Sequence, residues 1–190
     1  MLTIKVPAST SNLGCGFDSV GIAFNLYNTW TFEKSKDFEL IGFENGLTKK
    51  NMVLSSYQHI FQLLKKEMIP VKIILVDFQI PISRGLGSSA SCIIAGVLAA
   101  NHFLGSILTK EECMTIATQI EGHPDNISAS FLGGFISSFM KDDVVRSVSY
   151  PINQDLNFYV LIPNFNLSTK VARAALPEKY LIEDVVFSLS

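Results

Sequence analysis

Residues 81–90 read P-I-S-R-G-L-G-S-S-A and stand between two runs of opposite habit. Upstream, 71–80 (VKIILVDFQI) is β-branched and apolar apart from Lys72 and Asp77, the composition of a buried strand. Downstream, 91–103 (SCIIAGVLAANHF) is apolar almost all round with Gly96 as its one breaker, the composition of a buried helix. A strand, a glycine-serine loop and a helix in that order leave orphan N–H groups at the helix start, where the dipole favours an anion. Gly85 and Gly87 let the backbone approach a phosphate. Ser88 and Ser89 offer hydroxyls to a phosphate oxygen or to Mg²⁺, which takes oxygen ligands. The segment therefore fits a nucleotide site that lacks a lysine. A plain Gly-Ser turn capping a helix competes with that reading. The Walker pattern fails for want of G-K-[ST], whereas G-x-G-x-x-A fits 85–90 formally as a Rossmann fingerprint. Against the latter, 81–84 separate the strand from the glycines, and the acidic residue expected about 20 positions on would fall near Glu111, at a helix start.

The remaining elements follow from pattern. Residues 3–6 form a short strand expected to stop at Pro7, and 9–16 a loop of small residues. Residues 22–32 (IAFNLYNTWTF) are a second buried strand. Residues 52–68 place Val53, Tyr57, Ile60, Phe61 and Leu64 on one helical face. Thr109 opens T-K-E-E, an N-cap with glutamate at the third helical position, and that helix runs to about Glu121. Gly133-Gly134 opens another strand, and 157–162 (NFYVLI) reads as one more. The corner near Pro151 and Pro163 is the expected change of domain, dividing 1–154 from 155–190.

Hydrophobic residues make up 48% of the 190 and charged ones 17%, enough apolar material to order one domain and the beginning of a second. A net charge of -2 gives no broad attraction for nucleic acid or anionic lipid, so phosphate binding must be local. No basic n-region with an apolar h-region opens the chain, and no apolar run approaches the roughly 20 residues of a bilayer span. The expectation is a soluble, cytoplasmic protein with no nucleic-acid or membrane partner. Cys15, Cys92 and Cys113 are odd in number and lack C-x-x-C spacing, which reads as reduced thiols.

Three further clusters carry chemistry. Glu121-Gly-His-Pro-Asp-Asn126 packs two carboxylates, an imidazole and an amide into what reads as a turn; Glu121 suits Mg²⁺, and His123, Asp125 and Asn126 suit a polar pocket. A turn built from Gly, Pro, Asp and Asn explains half of it without function. In residues 7–18 (PASTSNLGCGFD), Asn12 and Asp18 are the strong directional groups of what is otherwise an Asx-rich loop. In residues 167–177 (LSTKVARAALP), Thr169 and Arg173 are four apart on one helix face, where an arginine fork suits a carboxylate and a solvated helix residue is the plainer reading.

Together and in order, P-A-S-T-S-N-L-G-C-G-F-D-S-V-G, R-G-L-G-S-S-A, E-G-H-P-D-N-I-S-A-S-F-L-G-G and L-S-T-K-V-A-R-A-A-L-P resemble the motifs of the GHMP kinase superfamily, and within it those of homoserine kinases. The resemblance runs from Lys5 to the chain's end. It implies an α+β fold: an N-terminal ATP-binding domain of the ribosomal-protein-S5 domain 2-like type, then a ferredoxin-like C-terminal domain, incomplete here. It implies ATP and Mg²⁺, transfer of the γ-phosphoryl group to the side-chain hydroxyl of L-homoserine, and a place in threonine biosynthesis; a homodimer is left open. By matching position, Pro81, Arg84, Gly85, Leu86, Gly87, Ser88, Ser89 and Ala90 would meet the nucleotide, with Asn51 at the adenine pocket. Ser88 or Ser89 with Glu121 would hold Mg²⁺. Asn12, Asp18, His123, Asp125, Thr169 and Arg173 would form the amino-acid site: Arg173 on the carboxylate, Asp18 on the ammonium, Asn12 on the hydroxyl. By matching position Asn126 stands where mevalonate kinases use an aspartate base, and an amide cannot take a proton. Catalysis without a strong base, by Asn12, Ser88, Glu121, Asn126 and the loop's N–H groups, is the expectation. Two alternatives remain: a non-catalytic nucleotide-binding remnant or subunit, and a sister kinase acting on mevalonate or a sugar.

Overall fold

The computed structural model describes residues 1–43, 51–162, 164–165 and 169–189. Its framework is a six-stranded sheet registered on one long strand. β1 (Leu2–Ser11) runs antiparallel along one edge of β2 (Val20–Lys34). Beyond them come the short β3 (Glu39–Ile41) and the helix α1 (Met52–Leu63). β4 (Val71–Phe78) takes the other edge of β2 from Asn28 to Lys34, with β3 parallel on its far side. β5 (Phe135–Lys141) takes that same edge from Val20 to Ile22, and β6 (Val144–Tyr150) hairpins onto β5. β2 is thus shared between two halves of the sheet, and the gap between β4 and β5 lies beside the glycine loop.

Pro7 does not end β1. The strand runs through it to Ser11 because the register slips there: Pro7 faces Tyr27, and Ala8 already faces Phe24. A bulge is where a strand tolerates a residue without an N–H. One consequence is functional, since Ala8 and Ser9 are both fully buried and Ser9 N–H reaches Leu86 O in the glycine loop at 3.2 Å.

α2 (Ser88–Phe103) is the central helix, packed between α1 on one side and α3 (Lys110–Glu121) and α4 (Asp125–Leu132) on the other. With α4 it covers β1 and β2, whose inward residues Ile4, Val6, Trp30 and Phe32 meet Tyr57, Ile60, Phe61, Ile93 and Ile94 in one core. Thr109 forms the full capping box with Glu112, each satisfying an orphan N–H of the other's residue, a device worth about 1 kcal/mol. α1 stops short of Met68: Leu64 caps it and Lys65 turns left-handed.

Beyond β6 the structure departs from expectation. Residues 157–162 are not a strand, and all six are exposed. Their β-forming composition finds no neighbouring strand among the described residues, and without a ladder the backbone groups are better satisfied by water. Two helices follow, α5 (Thr169–Ala174) and α6 (Ile182–Leu189). Pro163, Leu167 and Ser168 lie outside the described residues. No described helix is long and apolar enough to cross a membrane.

Candidate active site

α2 begins on Gly87, which is left-handed (φ 67°) and leaves the first turn with no side-chain cap and no acidic residue. Ser83 and Gly85 are also left-handed, so the loop curls tightly, a backbone form from which anion-holding concavities are built. Glycine is required at 87: a Cβ there would lie 2.3 Å from Ser9 Oγ and 3.0 Å from Ser9 O. The N-terminus of α2 therefore rests on β1 through the bulge that buries Ser9.

From this loop a cavity of about 690 Å³ opens, within the range of small-ligand sites. Trp30, Phe43, Met52, Leu75, Phe78 and Ile82 make its apolar end; Asn12, Glu121, His123, Asn126 and Arg173 make its polar end. Asn51, Arg84 and 85–89 line it between. Most residues singled out from sequence are thus brought to the cavity wall; Asp18 and Asp125 are not in it but contact Arg173 and His123, which are, and four others differ as follows. Ala90 is fully buried in the core and serves packing, because it sits on the inward side of the first turn of α2. Pro81 is half-buried and not in the cavity wall. Asn51 does line the wall, but its Oδ1 accepts Leu54 N–H at 3.0 Å as the N-cap of α1. Thr169 begins α5, and its side chain lies outside the described residues.

Between the start of α2 and the end of α3, Ser89 Oγ donates to Glu121 Oε2 at 2.6 Å. Glu121 is the last residue of α3, where Gly122 in the left-handed region turns the chain away. An all-oxygen pair beside an uncapped helix N-terminus fits Mg²⁺, which prefers hard oxygen donors and substrate phosphates. Ser89, rather than Ser88, makes this contact; Ser88 lends its carbonyl oxygen to Ser91 Oγ at 2.8 Å.

What reads in sequence as a turn is in fact the start of α4, with Asp125 and Asn126 in its first turn. The Gly, Pro, Asp and Asn that suggest a turn are confined to the entry into this eight-residue helix. Asn126 is held from three directions. Its Oδ1 accepts Ser9 Oγ at 2.9 Å, its carbonyl oxygen accepts the same hydroxyl at 3.2 Å, and its Nδ2 donates to Ser11 Oγ at 2.8 Å. Ser130 Oγ donates to Ser9 Oγ at 2.8 Å from the next turn of α4. Ser9, Ser11 and Ser130 were not among the sequence candidates; the one hint is a small polar residue at an inward position of a strand.

The amino-acid cluster is built from distant segments. Asn12 Oδ1 accepts the N–H of Asp18 at 2.9 Å, closing the loop between β1 and β2. Ligand-capable atoms of Asp18, His123 and Asp125 lie within 4.8 Å of one another. Arg173, expected on a ligand carboxylate, instead reaches Asp18 with both terminal nitrogens, one at 3.0 Å. Asp18 and Arg173 thus meet each other rather than standing as separate subsites.

His123 Nδ1 meets Asp125 Oδ1 at 2.7 Å, and Asp125 is fully buried. The hydrogen bond to Asp125 is the main reason the His123 pKa rises above 6.5; burial opposes it, and the charges of Asp125, Glu121 and Asp18 add to it. For Asp125, burial alone would raise the pKa, but hydrogen bonds from His123 and from Asn126 N–H outweigh it and hold the value below 3.8. The signs fix a window. The His123 contribution to stability is complete below 6.5 and is lost as pH rises through the raised folded value; that of Asp125 is complete above 3.8 and is lost as pH falls through the depressed one. Asp125→Asn is therefore expected to return the His123 titration, followed by its ring-proton NMR shift, toward 6.5; an unmoved titration would mean that the pair does not form in solution.

Comparison with known proteins agrees with this geometry. Residues 51–134 match the family described as GHMP kinases N terminal domain. Over the whole chain the protein is 36% identical to a homoserine kinase of Clostridium acetobutylicum and 35% identical to one of Clostridium beijerinckii. It spans 66% and 64% of those relatives' own lengths. A crystal structure of homoserine kinase from Cytophaga hutchinsonii superposes with a TM-score of 0.79 at 27% identity, over 98% of this chain and 64% of that one. The Methanococcus jannaschii mevalonate kinase, at 19% identity and a TM-score of 0.61 over 78% of this chain and 56% of its own, shares the fold. With an uncapped helix N-terminus at the glycine loop, an α+β sheet and end-to-end similarity all in agreement, residues 51–134 carry the GHMP kinases N terminal domain and the chain as a whole is similar to homoserine kinases.

Proposed function

We propose that this chain carries the sites of an ATP:L-homoserine phosphotransferase, which moves the γ-phosphoryl group of ATP to the side-chain hydroxyl of L-homoserine and yields O-phospho-L-homoserine for threonine biosynthesis. The observation that carries the reading is the cavity that joins an uncapped helix N-terminus, the Ser89–Glu121 oxygen pair, His123 and Arg173, with Asp18 held by Arg173. Phosphoryl transfer asks for alignment and charge neutralisation more than covalent help. The N–H groups of 85–89 bind the phosphates, the apolar end around Phe43, Leu75 and Phe78 takes the adenine, and Asn12 orients the acceptor hydroxyl. Ser89 and Glu121, with Ser88 adjacent, would hold Mg²⁺, which supplies charge neutralisation across the phosphates. Asn126, its amide engaged by Ser9 and Ser11, positions groups and takes no proton, which supports transfer without a strong base.

Within this reading 1–154 is the ATP-binding domain and 155–190 belongs to a ferredoxin-like domain, whose packing would cover side chains such as Leu161 and Phe187, 94% and 85% exposed here. The setting is cytoplasmic, the partners are small molecules, and a homodimer is compatible. The test is ADP release on mixing Mg·ATP with L-homoserine and the longest natural polypeptide that carries this sequence. Homoserine-dependent turnover is expected. Release with mevalonate or a sugar instead would move the substrate to a sister kinase, and nucleotide binding without any turnover would leave a non-catalytic subunit.

A further inference from the structure

Asp18 and Arg173 stand 155 positions apart in sequence, yet form a two-pronged ion pair, of which Arg173 lines the cavity. Asp18 is preset by its loop, left-handed at φ 54° with its N–H on Asn12 Oδ1. Arg173 arrives on α5 and is steadied by the ring of Phe17, 5.2 Å from its guanidinium carbon. Side-chain exposures of 37% and 35% leave the pair within reach of a solute, and Arg173 also lines the cavity. An α-amino acid carries on one carbon the two groups that this pair already presents: a cation for Asp18 and a carboxylate for Arg173.

We propose that the Asp18–Arg173 pair is an internal occupant of the amino-acid subsite, and that exchange with it selects zwitterions. The proposal rests on the homoserine reading above. A ligand with both charges replaces each half of the pair, so nothing is stranded. A carboxylate without an ammonium takes Arg173 and leaves Asp18 unpaired beside the Asp125 carboxylate; an amine without a carboxylate takes Asp18 and leaves Arg173 unpaired. Because both side chains are partly solvated, each missing group costs about tenfold in affinity rather than the larger losses of fully buried pairs.

The exchange predicts gains as well as losses. By calorimetric titration of the longest natural polypeptide carrying this sequence, L-homoserine should bind about tenfold or more tightly than 4-hydroxybutanoate, which lacks the ammonium, or 3-aminopropan-1-ol, which lacks the carboxylate. Asp18→Asn should weaken homoserine yet bind 4-hydroxybutanoate roughly tenfold more tightly than the unaltered protein does, because Arg173 is no longer engaged. Arg173→Gln should do the same for 3-aminopropan-1-ol. Absence of both gains overturns the proposal, since a purely structural ion pair yields only losses. Homoserine bound and exchanged in this way but never phosphorylated would sink the kinase reading and leave the exchange standing. Turnover of homoserine without the gains would do the reverse, and failure to bind homoserine at all would remove both.

Discussion

Glu121→Gln is expected to lower kcat about a thousandfold, roughly 4 kcal/mol of transition-state stabilisation, with little change in the melting temperature. The substitution keeps the size of the side chain and its ability to accept the Ser89 hydroxyl at 2.6 Å, so the end of α3 and the left-handed turn at Gly122 have no reason to move. What it removes is the negative charge of the one carboxylate that lines the cavity among the described residues. If Ser89 and Glu121 hold Mg²⁺ against the phosphates, the loss falls on the step in which charge is redistributed, and so on kcat more than on the KM for homoserine. Steady-state rates at saturating Mg·ATP, with a thermal melt of the same preparation, give the answer. An unchanged kcat would show that Glu121 only caps the loop, and a melt lowered by many degrees would show that the hydrogen bond is structural first.

Gly96→Ala should be the most damaging single methyl group in the described part of the chain. The Cβ it adds would sit 2.3 Å from Val53 O and 2.8 Å from Tyr57 N, both backbone atoms of α1. A flexible side chain can step aside, but a helix backbone cannot, so α1 must move off α2 as a unit. That opens the contacts of Tyr57 with Phe32 on β2 and Phe103 on α2, in the aromatic centre of the core. Separation of this kind costs roughly 3 kcal/mol or more, which for a domain of this size lowers the melting temperature by about 10 °C. Circular dichroism against temperature measures it. A shift within about 2 °C would mean that α1 and α2 pack less closely than described. On the proposed reading nucleotide affinity should fall too, since the N-terminus of α2 would hold the phosphates.

Local signals were the legible ones. The capping box at Thr109, the apolar run that becomes α2 and the β-branched runs within β2 and β4 each depend on neighbours a few residues away, and each is where the sequence indicates. Where the outcome depends on a remote partner, the same reasoning fails. Pro7 reads as a strand end because its missing N–H is a local fact, while the bulge that accommodates it comes from the register with β2. Residues 157–162 read as a strand because composition is local, while a strand exists only by pairing. The start of α4 hid inside a cluster of turn-forming residues.

The site divides along the same line. By itself the sequence determined that a helix would start without a side-chain cap behind the glycine loop, because a strand, two glycines, two serines and an apolar helix in succession produce an uncapped N-terminus wherever the rest of the chain goes. It also supplied the polar residues of the cavity and, through their order, the family. Only the tertiary structure decided which of them meet. Ser9 reaches Asn126 across 117 positions and Arg173 reaches Asp18 across 155, because β1, α4 and α5 converge at one corner of the sheet. Such pairings arise from packing long segments against a common core, and no periodicity within a segment encodes them.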